Sequence, residues 1–103
     1  MDLNSADREQ ILSFLKKIIV ETLHDQSVKV YLFGSWARKE EKRTSDIDIA
    51  LSADSAIPIS KWVELRERIE ESPLPYRVDL VDLSKADQAM KEKVKKEGIL
   101  WNG

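Results

Sequence analysis

Two aspartates one residue apart, Asp46 and Asp48, interrupt the otherwise apolar run SDIDIAL. Side chains alternate along a strand. In an extended chain, therefore, Asp46, Asp48 and Ala50 share one face and Ile47, Ile49 and Leu51 the other. The isoleucine face belongs in a core. The aspartate face holds two carboxylates roughly 6–7 Å apart at the backbone, two strand rises of ~3.3 Å. From that separation both can converge on one divalent cation or on two. Without a cation, like charges on one face raise each other's pKa; with Mg²⁺, a hard ion that prefers carboxylate oxygen, they make a site. The plainer reading is an edge strand with a solvated polar face.

The residues upstream favour the chemical reading. Gly34–Ser35 follows directly on the apolar run VKVYLF, where a glycine lets backbone approach a ligand closely. The Ser35 hydroxyl and neighbouring amides can donate to phosphate oxygens, and Arg38, Lys39, Lys42 and Arg43 supply cations in the loop between. Phosphate donors at the end of one strand and carboxylates on the next are the two halves of a nucleoside triphosphate–Mg²⁺ site. A third carboxylate would come from VDLVD, which offers Asp79 and Asp82 on opposite faces. Asp79 lies mid-strand, where an unpaired buried carboxylate is costly, and is the choice; its alternative role is an ion pair with Arg77 or Arg38. Asp82 suits a turn or cap.

The elements that must position these groups read as helix, strand, strand, helix, strand, helix. Residues 7–23 form an amphipathic pattern with Ile11, Leu15, Ile18 and Thr22 in one row and Leu12, Ile19 and Leu23 beside it, capped by Asn4 or Ser5. Strands are expected at 28–33, 45–51 and 76–83. A helix at 59–71 carries Trp62, Leu65 and Ile69 on one stripe with Ile59 and Val63 adjoining. A last helix follows the capping pair Ser84/Asp87, turns Ala86, Met90 and Val94 inward, and ends at Gly98 in a left-handed cap. The tail ILW (99–101) is apolar. The expected class is α/β (α+β), a small mixed β-sheet packed with helices in a single domain over residues 1–103.

Composition narrows the function. With 103 residues the core is thin, so a ligand belongs in a groove or at an edge. Seventeen basic against nineteen acidic residues give a net charge of −2, which argues against sequence-independent grip on DNA. There is no cysteine, and the one histidine, His24, follows a helix end, so zinc of the usual kind is excluded. The polar start is no signal peptide and no apolar run reaches the ~20 residues of a membrane span. A soluble, cytoplasmic protein without a membrane partner is expected.

Gly34-Ser35, ten residues, then Asp46-x-Asp48 resembles the G-S-x10-D-x-D pattern of the DNA polymerase β-like nucleotidyltransferase superfamily. With VDLVDL about thirty residues on and a terminal helix, the whole chain is similar to its smallest branch, the minimal nucleotidyltransferase (MNT) domains, often antitoxins of HEPN/MNT toxin–antitoxin pairs. The resemblance implies the nucleotidyltransferase fold and AMP transfer from ATP to a tyrosine of a HEPN ribonuclease, in a hetero- or homo-oligomer. By the same resemblance Asp46, Asp48 and Asp79 are catalytic and bind Mg²⁺, two ions in all. Gly34, Ser35 and Ser45 contact the nucleotide, and Arg38 is a phosphate or structural contact. Lys39 departs from the pattern, which often has glycine there, and motivates the rival reading of a non-catalytic antitoxin that neutralises by binding. Transfer to a small molecule such as an aminoglycoside is a third reading, disfavoured because no acceptor domain is present. Trp36, Trp62, Trp101 and the ILW tail are candidates for a partner surface, with core packing the alternative and the preferred one for Trp62.

Overall fold

The structure, a computed structural model, describes Leu3 and residues 5–102. In chain order the elements are α1 (Arg8–Thr22), β1 (Val28–Phe33), β2 (Ile47–Ala53), α2 (Ile59–Glu70), β3 (Val78–Asp82), a 3-10 turn (Leu83–Lys85), α3 (Gln88–Glu97) and β4 (Ile99–Leu100). They fall into two compact units, Met1–Ser27 with Ile57–Pro75, and Val28–Ala56 with Tyr76–Gly103.

The first unit pairs α1 with α2. All seven apolar-row positions of α1, from Ile11 to Leu23, are buried. Its N-cap is Asp7, not Ser5; Asn4 lies outside the described residues. Asp7 Oδ1 accepts from the Gln10 amide (2.9 Å) while Gln10 Oε1 accepts from the Asp7 amide (3.0 Å), closing a capping box whose D-x-x-Q signature stands in the sequence just before the apolar row. Thr22 donates to the Ile18 carbonyl (2.8 Å) and accepts from Arg68 Nη1 (2.6 Å), and Lys61 reaches Asp25 (3.4 Å), so α2 is tied to the end of α1 by polar contacts. On α2 only Leu65 is fully buried. Ile59 (81% exposed) and Val63 (49%) face outward, contrary to their expected place beside the stripe, because the helix buries one narrow side. His24 is exposed, its Nδ1 against the Glu21 carbonyl (2.9 Å).

The second unit is a four-stranded sheet in the order β3-β2-β1-β4 with α3 on one face. β1 pairs antiparallel with β2 and with β4, and β2 pairs parallel with β3, so the sheet is mixed. Alternation works as expected: Ile47, Ile49 and Leu51 are wholly buried on one face. On the other, Ala50 packs with Phe33 and Val94 of α3, flanked by Tyr31, Val81, Leu83 and Met90. β2 starts two residues later than expected, leaving Ser45 and Asp46 just before it, and α3 starts at Gln88, so Ala86 precedes the helix. Asp87 caps α3, accepting from the Met90 amide (2.8 Å).

Gly98 is the C-cap of α3, yet its φ of −71° is ordinary rather than left-handed. Glycine is required there for another reason: a Cβ would run into the Val94 carbonyl oxygen and stand 3.3 Å from its carbon. That close passage turns the chain into β4, a strand where the sequence pattern alone indicates only an apolar tail. Asn102 extends the pairing, its side-chain amide imitating a peptide group: Oδ1 accepts from the Val30 amide (2.7 Å) and Nδ2 donates to the Val28 carbonyl (2.8 Å).

Candidate active site

The end of β1 and the starts of β2 and β3 meet at one end of the sheet. In the ladder Asp48 lies opposite Phe33 on one side and opposite Asp79 on the other. Residues directly paired across a ladder put their side chains on the same face, so Asp48 and Asp79 stand side by side on the face that carries α3. Asp46 precedes them on the chain with its side chain in solvent. Asp79 is exposed rather than buried. Neither Arg77 nor Arg38 pairs with it: among the described residues the side chains of Asp46, Asp48 and Asp79 make no ion pair or hydrogen bond. Asp82 instead caps the 3-10 turn, its Oδ1 accepting from the Ser84 amide (3.0 Å) and hydroxyl (2.7 Å).

Asp48 is half-buried. Burial first, then the Asp79 carboxylate and that of Asp46, pushes its pKa above the ordinary aspartate value; the charges of Lys93 and Arg38 pull it back in part. A carboxylate raised by two neighbouring carboxylates is one that a cation would relieve.

Gly34 shows how tightly backbone and carboxylate are matched. Its φ is +74°, and a Cβ on it would collide with Asp48 Oδ2 and lie 3.1 Å from Cγ. Only glycine brings the loop so close to that carboxylate. The chain then makes one helical turn, the Ala37 and Arg38 amides donating to the Gly34 carbonyl (3.1 and 3.2 Å) and the Glu40 amide to that of Ser35 (2.9 Å). The turn leaves at Lys39 with φ 60°, the left-handed conformation that glycine adopts without strain. The lysine therefore keeps the backbone path expected of glycine, at a steric cost.

Ser35 is half-buried, and its hydroxyl bonds to no protein group among the described residues. Ser45 is engaged within the loop: its Oγ accepts from the Lys42 amide (2.8 Å) and its carbonyl from Trp36 Nε1 (3.3 Å). Trp36 is 2% exposed with Tyr76 edge-on at 4.8 Å, so it is core and not partner surface. Trp62 and Trp101 are half-buried, while Ile99 and Leu100 are exposed.

Two groups near the site escaped the sequence reading. Lys93 and Glu97 share the flank of α3 that Met90 occupies, at spacings of three and four residues. That periodicity was the available signal. Lys93 acts on Asp48 through its charge, and Glu97 binds Arg38. A cleft of about 560 Å³ lined by Tyr31, Ser52, Leu83, Lys91 and Lys95 opens at the far end of β2 and contains none of the site residues.

The residues fit a hard divalent cation in donor chemistry and in the register of Asp48 with Asp79. Among the described residues, no three acidic side chains are gathered as a ready-made cage. Turning exposed aspartate rotamers inward is a small adjustment by comparison with the strand register that places them.

A glycine-ended strand against a D-x-D strand, with a third aspartate in parallel register, defines the architecture of a nucleotidyltransferase. The chain belongs to the polymerase β nucleotidyltransferase family, whose model matches residues 9–101. It is 41% identical over 88 residues to the protein adenylyltransferase MntA of Shewanella oneidensis, covering 81% of this chain and 62% of that protein. The chain thus spans rather less than two thirds of that relative's length. A crystal structure of a toxin–antitoxin with AMP-PNP matches with a TM-score of 0.69 at 33% identity, over 85% of this chain and 73% of that one. The structure of a tri-AMPylated HEPN toxin of Shewanella oneidensis in complex with its MNT antitoxin matches at 0.63 and 30% identity, over 88% and 71%. Among the described residues no helix is long and apolar enough to cross a membrane.

Proposed function

We propose that this chain is a protein adenylyltransferase of the antitoxin type, a single catalytic domain that transfers AMP from ATP to a hydroxyl of a partner HEPN toxin in the cytoplasm. The observation that carries the reading is Asp48 beside Asp79 with Gly34 pressed against the same carboxylate. The similarity to an adenylyltransferase and to an AMPylated toxin complex supports the acceptor class.

Asp46, Asp48 and Asp79 would hold Mg²⁺, which when bound neutralises triphosphate charge and lowers the pKa of the attacking hydroxyl. The Gly34 backbone lets phosphate oxygens approach, and the Ser35 hydroxyl is free to donate to them. Ser45 fixes the loop through its turn bond to Lys42, its contact with nucleotide belonging to the same proposal, and Arg38 fixes the loop through its carboxylate partners. Asp79, exposed and next to Asp48, would take the acceptor proton. The acceptor oxygen bonds to the α-phosphorus as the bond to pyrophosphate breaks, and catalysis is chiefly positioning and charge neutralisation.

The test is intact-mass spectrometry after incubation with ATP, Mg²⁺ and the cognate HEPN protein. Wild type should add AMP units to the partner, and the Asp46→Asn/Asp48→Asn pair should add none. Identical spectra without adduct would remove the enzymatic reading. Full neutralisation of the toxin by the double variant would favour the binding-only antitoxin.

A further inference from the structure

We propose that Glu97, at the end of α3, is a positioning residue that holds the phosphate-facing turn in place through Arg38, so that the arginine serves the loop and not the phosphate. The functional part of this inference rests on the nucleotide reading above.

Arg38 Nη1 lies 3.1 and 3.2 Å from the two oxygens of Glu97, and its Nε lies 3.1 Å from Glu40 Oε2. Glu40 belongs to the same loop and cannot anchor it. Glu97 can, because α3 is seated on the sheet by Val94 against Phe33 and Ala50. Its side chain is only 24% exposed. The guanidinium fork thus already faces two carboxylates, which together outweigh its single charge. Only Nη2 is left for a phosphate, which would have to approach it against the charge of both carboxylates.

The position of Glu97 is itself informative. An acid in the last turn of a helix opposes the macrodipole, and Lys95 and Lys96 show the usual preference. A glutamate there is mildly disfavoured on its own, and the ion pair with Arg38 offsets that cost. The turn it restrains carries Gly34 and Ser35 and ends in the strained Lys39, so it has reason to need an anchor.

The experiment is amide exchange by NMR on wild type, Glu97→Ala, Arg38→Ala and the double variant, with AMP-PNP titration in Mg²⁺ on the same four. The Ala37, Arg38 and Glu40 amides should exchange about tenfold faster in either single variant and no faster in the double, with β1 amides unchanged. AMP-PNP affinity should fall by a similar factor in all three, and Glu97→Asp should recover part of it. Unchanged loop exchange in Glu97→Ala overturns the proposal. So does an Arg38→Ala loss that Glu97→Ala does not share, since that would put the guanidinium on phosphate. If wild type itself ignores AMP-PNP, the proposed function fails, and the exchange data alone decide the anchor.

Discussion

Replacing Gly34 with alanine separates the two reasons for a glycine at this position. The backbone there has φ +74°, and a left-handed L-residue costs roughly 1–2 kcal/mol. The added Cβ must also clear Asp48, colliding with Oδ2 and standing 3.1 Å from Cγ and 3.3 Å from Cβ. Overpacking of this kind costs typically about 1–3 kcal/mol. Together the penalty is about 2–5 kcal/mol, a large share of the ~5–15 kcal/mol by which domains are stable. At about 4–8 °C per kcal/mol for a chain of this size, Tm should drop by about 8 °C or more, read by thermal denaturation in EDTA. The same substitution in an Asp48→Ala background lacks the carboxylate to strike, so its cost should shrink to about 1–2 kcal/mol, the backbone part alone. Equal costs in both backgrounds would show that the glycine serves only the turn. A Tm change of a degree or less would refute both halves of the argument.

Two further outcomes follow from the same geometry. Lys39→Gly should stabilise the chain by about 0.5–1 kcal/mol, the left-handed strain relieved less the extra flexibility of glycine when unfolded, measured by urea denaturation; a loss of stability would mean the lysine side chain makes a contact that outweighs its strain. The second concerns pH. The Asp48 pKa is raised in the folded state, chiefly by burial and then by Asp79, so the native form holds its proton to higher pH than the unfolded form. That preference favours the fold at low pH and is lost as pH rises through the folded pKa. In EDTA, Asp48→Asn should therefore be more heat-stable than wild type at pH 7, with the gap closing as pH falls through the carboxylate range, while any Mg²⁺-dependent rise in Tm disappears. A variant less stable than wild type at pH 7 would contradict the raised pKa.

The local pattern carried much of this protein. Alternation in SDIDIAL assigned Ile47, Ile49 and Leu51 to the core, the three- and four-residue spacing in α1 named its buried row, and the glycine–serine pair after an apolar run located the turn. These are short-range properties, written in residue type and period. Strand register and side-chain pairing are not. That Asp79 rather than Asp82 stands next to Asp48 depends on β3 running parallel to β2 in one register, and that Arg38 turns to Glu97 depends on α3 crossing the same face. Fifty-nine residues separate that pair in sequence, so no local period could join them. The edge strand β4 went unread because its partner and the Asn102 bonds that extend it come from the far end of the chain. Gly98 is legible as a helix end, but only packing reveals that its missing Cβ makes room for a carbonyl and not for a left-handed turn. Residue types named the groups able to do chemistry; the tertiary fold chose among them, because charge and contact act through space and not along the chain.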